Sequence, residues 1–163
     1  MGMVACLAGI DRATIGRLKD DPDLVEGYLY PDDGEREPPN CIDLDKSWHC
    51  IHFMLTGQAE EAEAPLGWAV FGGEEVGEDA GYGPARILMP EQVSEIASAL
   101  LDEDAFKRRF DPASLAQANV YLSEMCVRDG DDALDYIAEN YRKLVAFYRG
   151  AAARGDGAIL WIC

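Results

Sequence analysis

The stretch CIDLDKSWHCIHFMLTG, residues 41–57, holds the side chains with the most chemistry in them. It carries His49 and His52, both histidines of the chain, together with Cys41, Cys50, Asp43 and Asp45. Three uses suit such a set: a zinc centre, an acid–base pair of imidazole and carboxylate, or a packed helix whose polar groups are satisfied internally. At about 100° per residue, Trp48, Ile51, His52 and Leu55 share one apolar face. His52 lies about 40° from Trp48 and so points inward; His49 sits about 60° from His52, at the border of that face. Cys50 is about 100° from His49 and about 160° from His52, so one ion cannot meet all three side chains. No Glu follows at the spacing of a zincin motif, and no metal site is expected. Acid–base work needs His52 beside a carboxylate at a pocket wall. Asp43 and Asp45 stand near the amino end of the helix, where capping competes for them, and Asp45 is the better cap. No G-x-S-x-G elbow or paired nucleophile accompanies the imidazole. No catalytic residue is assigned; His52 and Asp43 are the candidates.

A second region, GGEEVGEDAGYGPAR, brings glycines at 72, 73, 77, 81 and 83. Glycine freedom suits phosphate loops, but those need free N–H groups and a positive field. Glu74, Glu75, Glu78 and Asp79 oppose an anion here and no P-loop lysine follows, so the stretch reads as a tight connection with Tyr82 as an anchor. No motif implies a cofactor.

The elements that must position these residues follow from periodicity. MVACLAGI reads as a buried strand, and Asp11 caps a helix bearing Ile15 and Leu18. DDPDLVEGYLY gives a second helix with Leu24, Val25 and Tyr28 on one stripe. PDDGEREPPN is a loop. DKSWHCIHFMLTG is a helix stopped by Gly57, PLGWAVFGG a short apolar helix, and ARILM a short strand. PEQVSEIASALL is helical, although Met89 before it cannot cap. DEDAFKRRF and DPASLAQAN are short helices capped by Asp102 and Asp111, and VYLSEMC reads equally as strand or loop. Residues 132–154 form the longest helix, closed by Gly155. AILWIC, apolar on both faces, is a central strand. The pattern predicts one α+β domain over residues 1–163: a small mixed sheet that includes both terminal strands as neighbours, covered by several helices.

Composition bounds the function. At 48% hydrophobic the chain can bury a core, and its net charge is −17. Residues 20–85 hold 17 acids against Arg36 and Lys46, so −15 of that charge lies in this stretch. Such a field repels nucleic acid and anionic membranes and favours a basic protein partner or bound cations. No signal peptide or spanning segment is read, which predicts a cytoplasmic protein. The five cysteines show no disulfide framework and read as reduced thiols.

Ile42-Asp43-Leu44-Asp45-Lys46-Ser47-Trp48-His49, Ile51-His52-Phe53 and Leu55-Thr56-Gly57, with GYGPARIL, PEQVSEIASAL, RRFDP and the opening MGM, resemble the YfbM-like family over nearly the whole chain. That is a bacterial domain of unknown function. The resemblance implies an α+β domain and a bacterial cytoplasmic protein, and carries over no activity and no catalytic residue. Two of these motifs hold the polar groups costliest to bury: Asp43, His52, Tyr82 and Arg86. A buried Arg demands a charged partner. The expectation is that the four meet, as one polar pocket or one ion-pair network with Asp43 on Arg86. The leading reading is a non-enzymatic acidic interaction module, with toxin-neutralising immunity proteins as an analogy. The alternative is a small-molecule-binding domain or enzyme with its pocket at those four residues.

Overall fold

The computed structural model describes residues 2–32, 37–79 and 81–163; residues 33–36 of the expected loop and Ala80 of the glycine region lie outside them. Five strands form one sheet in the order β2-β1-β5-β4-β3. They are β1 (Ala5–Ile10), β2 (Cys41–Asp43), β3 (Glu74–Val76), β4 (Ala85–Leu88) and β5 (Gly157–Ile162). The class is α+β, as expected, and the apolar β1 and β5 pair with each other, with β5 in the middle. Every pairing is antiparallel, where a mixed sheet was expected. Neighbouring strands are joined by hairpin-like connections or by a long helical excursion, and no βαβ crossover imposes a parallel pair.

The sheet is covered on both faces. One face receives α3 (Trp48–Thr56), α5 (Pro90–Ala99) and the long α9 (Asp131–Arg154), packed on Leu7, Leu88 and Leu160. The other receives α1 (Arg12–Asp20) and α2 (Leu24–Leu29), packed on Ala8, Ile87 and Ile159. The strand alternation sorts the side chains: successive residues of β4 and β5 go to opposite cores. Four short helices complete the fold: α4 (Trp68–Phe71), α6 (Glu103–Lys107), α7 (Pro112–Gln117) and α8 (Ser123–Asp129).

Local signals set most boundaries. Asp11, Asp102 and Asp111 each accept backbone N–H groups at helix starts. Met89 offers no side-chain cap, as expected, and only the reciprocal bond is made: its own N–H donates to the Gln92 carboxamide oxygen at 2.9 Å. Gly57 ends α3 in the left-handed region at φ 73°. An L side chain is strained there, so Gly57→Ala should lower stability by about 1 kcal/mol in urea denaturation. A neutral result would mean that α3 can end elsewhere.

Candidate functional site

The histidine helix is a fastener. His52 is fully buried and its Nε2–H donates to the Glu60 carbonyl at 2.6 Å. One turn earlier, His49 Nε2–H donates to the Ala59 carbonyl at 2.7 Å, and its Nδ1 accepts the Tyr121 N–H at 2.9 Å. Together they staple the segment after α3 back onto it. Both nitrogens of His49 are spent on backbone. His52 Nδ1 is buried and meets no hydrogen-bond partner among the described residues. Burial lowers both imidazoles below their ordinary value. For His49 the hydrogen bonds give the same answer, because a proton on Nδ1 would face the Tyr121 N–H donor. Cys50 turns away from both rings, 3.8 Å from Cys126 and 3.3 Å from the Tyr121 carbonyl.

Arg86 is partnered by carbonyls. From β4 its guanidinium donates to Phe71 O at 2.6 Å and Val70 O at 3.1 Å, while Tyr148 from α9 donates to Ala69 O at 2.6 Å. These are C-terminal carbonyls of the short helix α4, which has no following turn to satisfy them. The negative end of that helix also favours the cation. Arg86 further lies 5.7 Å from the centre of the Phe71 ring, which also meets His52 at 4.3 Å, Trp48 at 5.7 Å and His49 at 6.0 Å between ring centres. So His52 and Arg86 do flank one side chain, as part of the packing that holds α4. Desolvation lowers the Arg86 pKa, and Glu75, opposite it across the strands, works against that.

The other two expected members stand elsewhere. Asp43 sits on edge strand β2, with β1 and β5 between it and β4. Two intervening strands put it roughly 14 Å from the Arg86 backbone at about 4.8 Å per strand, too far for an ion pair. Its carboxylate accepts the Asp45 N–H at 3.0 Å, and Asp45, expected as the helix cap, instead accepts the Tyr136 hydroxyl at 2.8 Å. Tyr82 is 51% exposed. The single cluster of Asp43, His52, Tyr82 and Arg86 does not form. Asp43 ends an edge strand and Tyr82 stands in a turn, and both reach solvent from there, so their proximity in sequence to buried groups did not signal burial. Among the described residues no group of three His, Cys, Asp or Glu is arranged to hold a metal.

Tyr82 belongs to a different feature. A cleft of about 660 Å³ opens between α2 and the turn after β3. Its floor is apolar, made of Val25, Leu29, Ala85 and Trp161. Its walls carry Asp23, Glu26, Glu78 and Asp79, all exposed, and no Lys or Arg is among the described residues that line it. Asp79 accepts the N–H groups of Gly81 at 2.7 Å and Gly83 at 2.9 Å, which braces the turn that presents Tyr82. At Gly77 the backbone presses on α2: a Cβ there would lie 3.1 Å from Val25. Leu24, Tyr30 and Tyr82, each near half exposed, all sit on the segments bounding the cleft. Residue types alone gave no sign of this cleft. The signal available was the concentration of net negative charge in residues 20–85, which include both of its walls.

The family described as Domain of unknown function (DUF1877) matches residues 1–161. The chain belongs to this family. Comparison with curated protein sequences gives no match. Among solved structures, one described as a protein of unknown function, YfbM from Escherichia coli, superimposes with a TM-score of 0.72 at 24% identity, covering 98% of this chain and 99% of that one. At that identity the likeness concerns the fold, and it agrees with the resemblance carried by the histidine and GYGPAR motifs. In this chain the hydrogen bonds above give His49, His52 and Arg86 a structural role, and Arg109 of RRFDP joins them by donating to Leu55 O at 2.8 Å at the end of α3. No described helix is long and apolar enough to cross a membrane.

Proposed function

We propose that this protein is a non-enzymatic interaction module whose acid-walled cleft receives a basic segment of a partner protein, anchored by an apolar side chain on the cleft floor. One observation carries the reading: an apolar floor inside carboxylates of a single sign, ringed by solvent-exposed aliphatic and aromatic side chains. Apolar surface at the base supplies affinity, and walls of one charge select partners of the other and speed their encounter. The histidines support the reading from the other side: His49 has both ring nitrogens bonded to backbone, and His52 is shut from solvent with its Nε2–H on the Glu60 carbonyl, so neither is placed to trade a proton with a substrate. A cytoplasmic setting suits such a module.

Short labelled peptides that place Lys or Arg on either side of a Leu or Phe should bind, and the affinity should fall as salt rises. Asp23→Asn, Glu26→Gln and Glu78→Gln together should weaken binding about tenfold or more. The same charge change on the opposite side of the fold, at Glu95, Asp104 and Glu124, should leave most of the affinity. Equal losses from the two sets would show attraction to net charge alone and remove the cleft from the account.

A further inference from the structure

Three of the five cysteines line a single cavity of about 270 Å³ on the α2 face of the sheet, next to the cleft and independent of what the cleft binds. Register fixes how they stand. Cys6 of β1 is opposite Asp43 on one side and Trp161 on the other. Cys41 lies two residues before Asp43, opposite Ala8, and Cys163 lies two residues past Trp161, opposite Val4. The Val4–Cys163 pair is held by two backbone hydrogen bonds of 2.8 and 2.9 Å, so the position of Cys163 is set by the sheet. Cys41, Cys6 and Cys163 therefore run diagonally across three adjacent strands with Cys6 in the middle. Residues two apart share a face, so all three thiols project to the same side.

That row limits the chemistry. Because the thiols are in line, three sulfurs cannot converge on one centre, in agreement with the lack of any three-ligand group among the described residues. Tetrahedral zinc is thus a poor fit. A disulfide is also a poor fit: it draws two Cβ atoms to about 3.8 Å, whereas diagonal neighbours on a sheet are about 7–8 Å apart at the backbone. An ion between two sulfurs lengthens the link, with two metal–sulfur bonds of about 2.3 Å in place of one S–S bond of about 2.0 Å. Soft ions that accept thiolates select such pairs, and Cu(I) is content with two. Cys163 is exposed and gives the ion access; Cys6 lies behind it, partly buried against Trp161.

We propose that Cys6 and Cys163 form a two-coordinate site for a soft monovalent ion, Cu(I), at the mouth of this cavity. Each thiol releases its proton to solvent and donates a lone pair to the ion. Copper stays in the +1 state, so no oxidant or reductant is involved. Burial and the neighbouring thiols hold the Cys6 proton tightly, so binding releases a proton and affinity should rise with pH near neutrality.

The test is anaerobic competition of the full chain against a chromophoric Cu(I) chelator. The wild-type protein should take a single equivalent. Cys6→Ser and Cys163→Ser should each weaken it about a hundredfold, while Cys41→Ser and Cys50→Ser should not. In the unaltered protein, bound Cu(I) should protect Cys6 and Cys163, but not Cys41, from alkylation read by mass spectrometry, which keeps the test valid if Cys6→Ser fails to fold. No uptake by the wild type, uptake undiminished in Cys6→Ser or in Cys163→Ser, or protection of Cys163 without Cys6 would each overturn the site.

Discussion

Arg86→Met should cost the fold about 3 kcal/mol in urea denaturation. The substitution keeps an apolar stem of similar length and deletes the group that satisfies Val70 O and Phe71 O. Those carbonyls end α4 inside the protein, and burying an unpaired carbonyl carries the full cost of its lost hydration. Removing a half-buried cation recovers part of its desolvation, which keeps the expected loss from growing larger. Tyr148→Phe, which deletes the hydroxyl bonded to Ala69 O, should cost about 1–2 kcal/mol alone. The double variant should lose less than the two together, because once one pin is gone α4 shifts and the other has less to hold. A loss under about 1 kcal/mol for Arg86→Met, or strict additivity, would show that α4 stays in place without these bonds.

Stability should fall on mild acidification through the two histidines. His49 and His52 have folded pKa values below the 6.5 ordinary for imidazole, both through burial. Between the folded value and 6.5 the unfolded chain binds more protons than the folded one, so stability rises with pH in that window. The contribution is complete above about pH 6.5 and is lost as pH falls through it toward the folded values. Urea midpoints measured at pH 7.5 and at pH 5 should separate, and His49→Gln should narrow the gap. Nitrogen-15 shifts of the imidazoles at pH 7.5 should report neutral rings with the proton on Nε2, as the bonds to Ala59 and Glu60 require. A proton on Nδ1 there, or midpoints that do not move, would contradict the stapled arrangement.

How much of this was readable beforehand differs by residue. The inward turn of His52 followed from 100° spacing alone, since Trp48 and Ile51 define the packed side. The central place of β5 followed from its being apolar on both faces. Strands β2 and β3 left no such trace. Each is three residues long, lies at an edge and carries Asp or Glu, so neither alternates long enough to be seen. Helix α8 was hidden by Leu122, which enters it at φ 67°, a backbone state that sequence does not announce for leucine. The misplaced site has one cause. A buried Arg was assumed to need a carboxylate, and Asp43 was the nearest in kind. The acceptors were main-chain carbonyls of α4, which every sequence has and no residue type marks. The cleft was unreadable for a related reason: its walls come from α2 and a turn about 50 residues later, and only the closed sheet brings them face to face.

The middle position of β5 has a bearing on biogenesis. When residues 1–156 have left the ribosome, they can pair β1 with β2 and β3 with β4, but these two small ribbons share no edge. β5 is the seam that joins them, and of the five strands it is synthesised last. Until it docks, the apolar sides of both ribbons and the long α9 have no finished surface to cover, so completing the sheet waits on contacts between the first and the last strand.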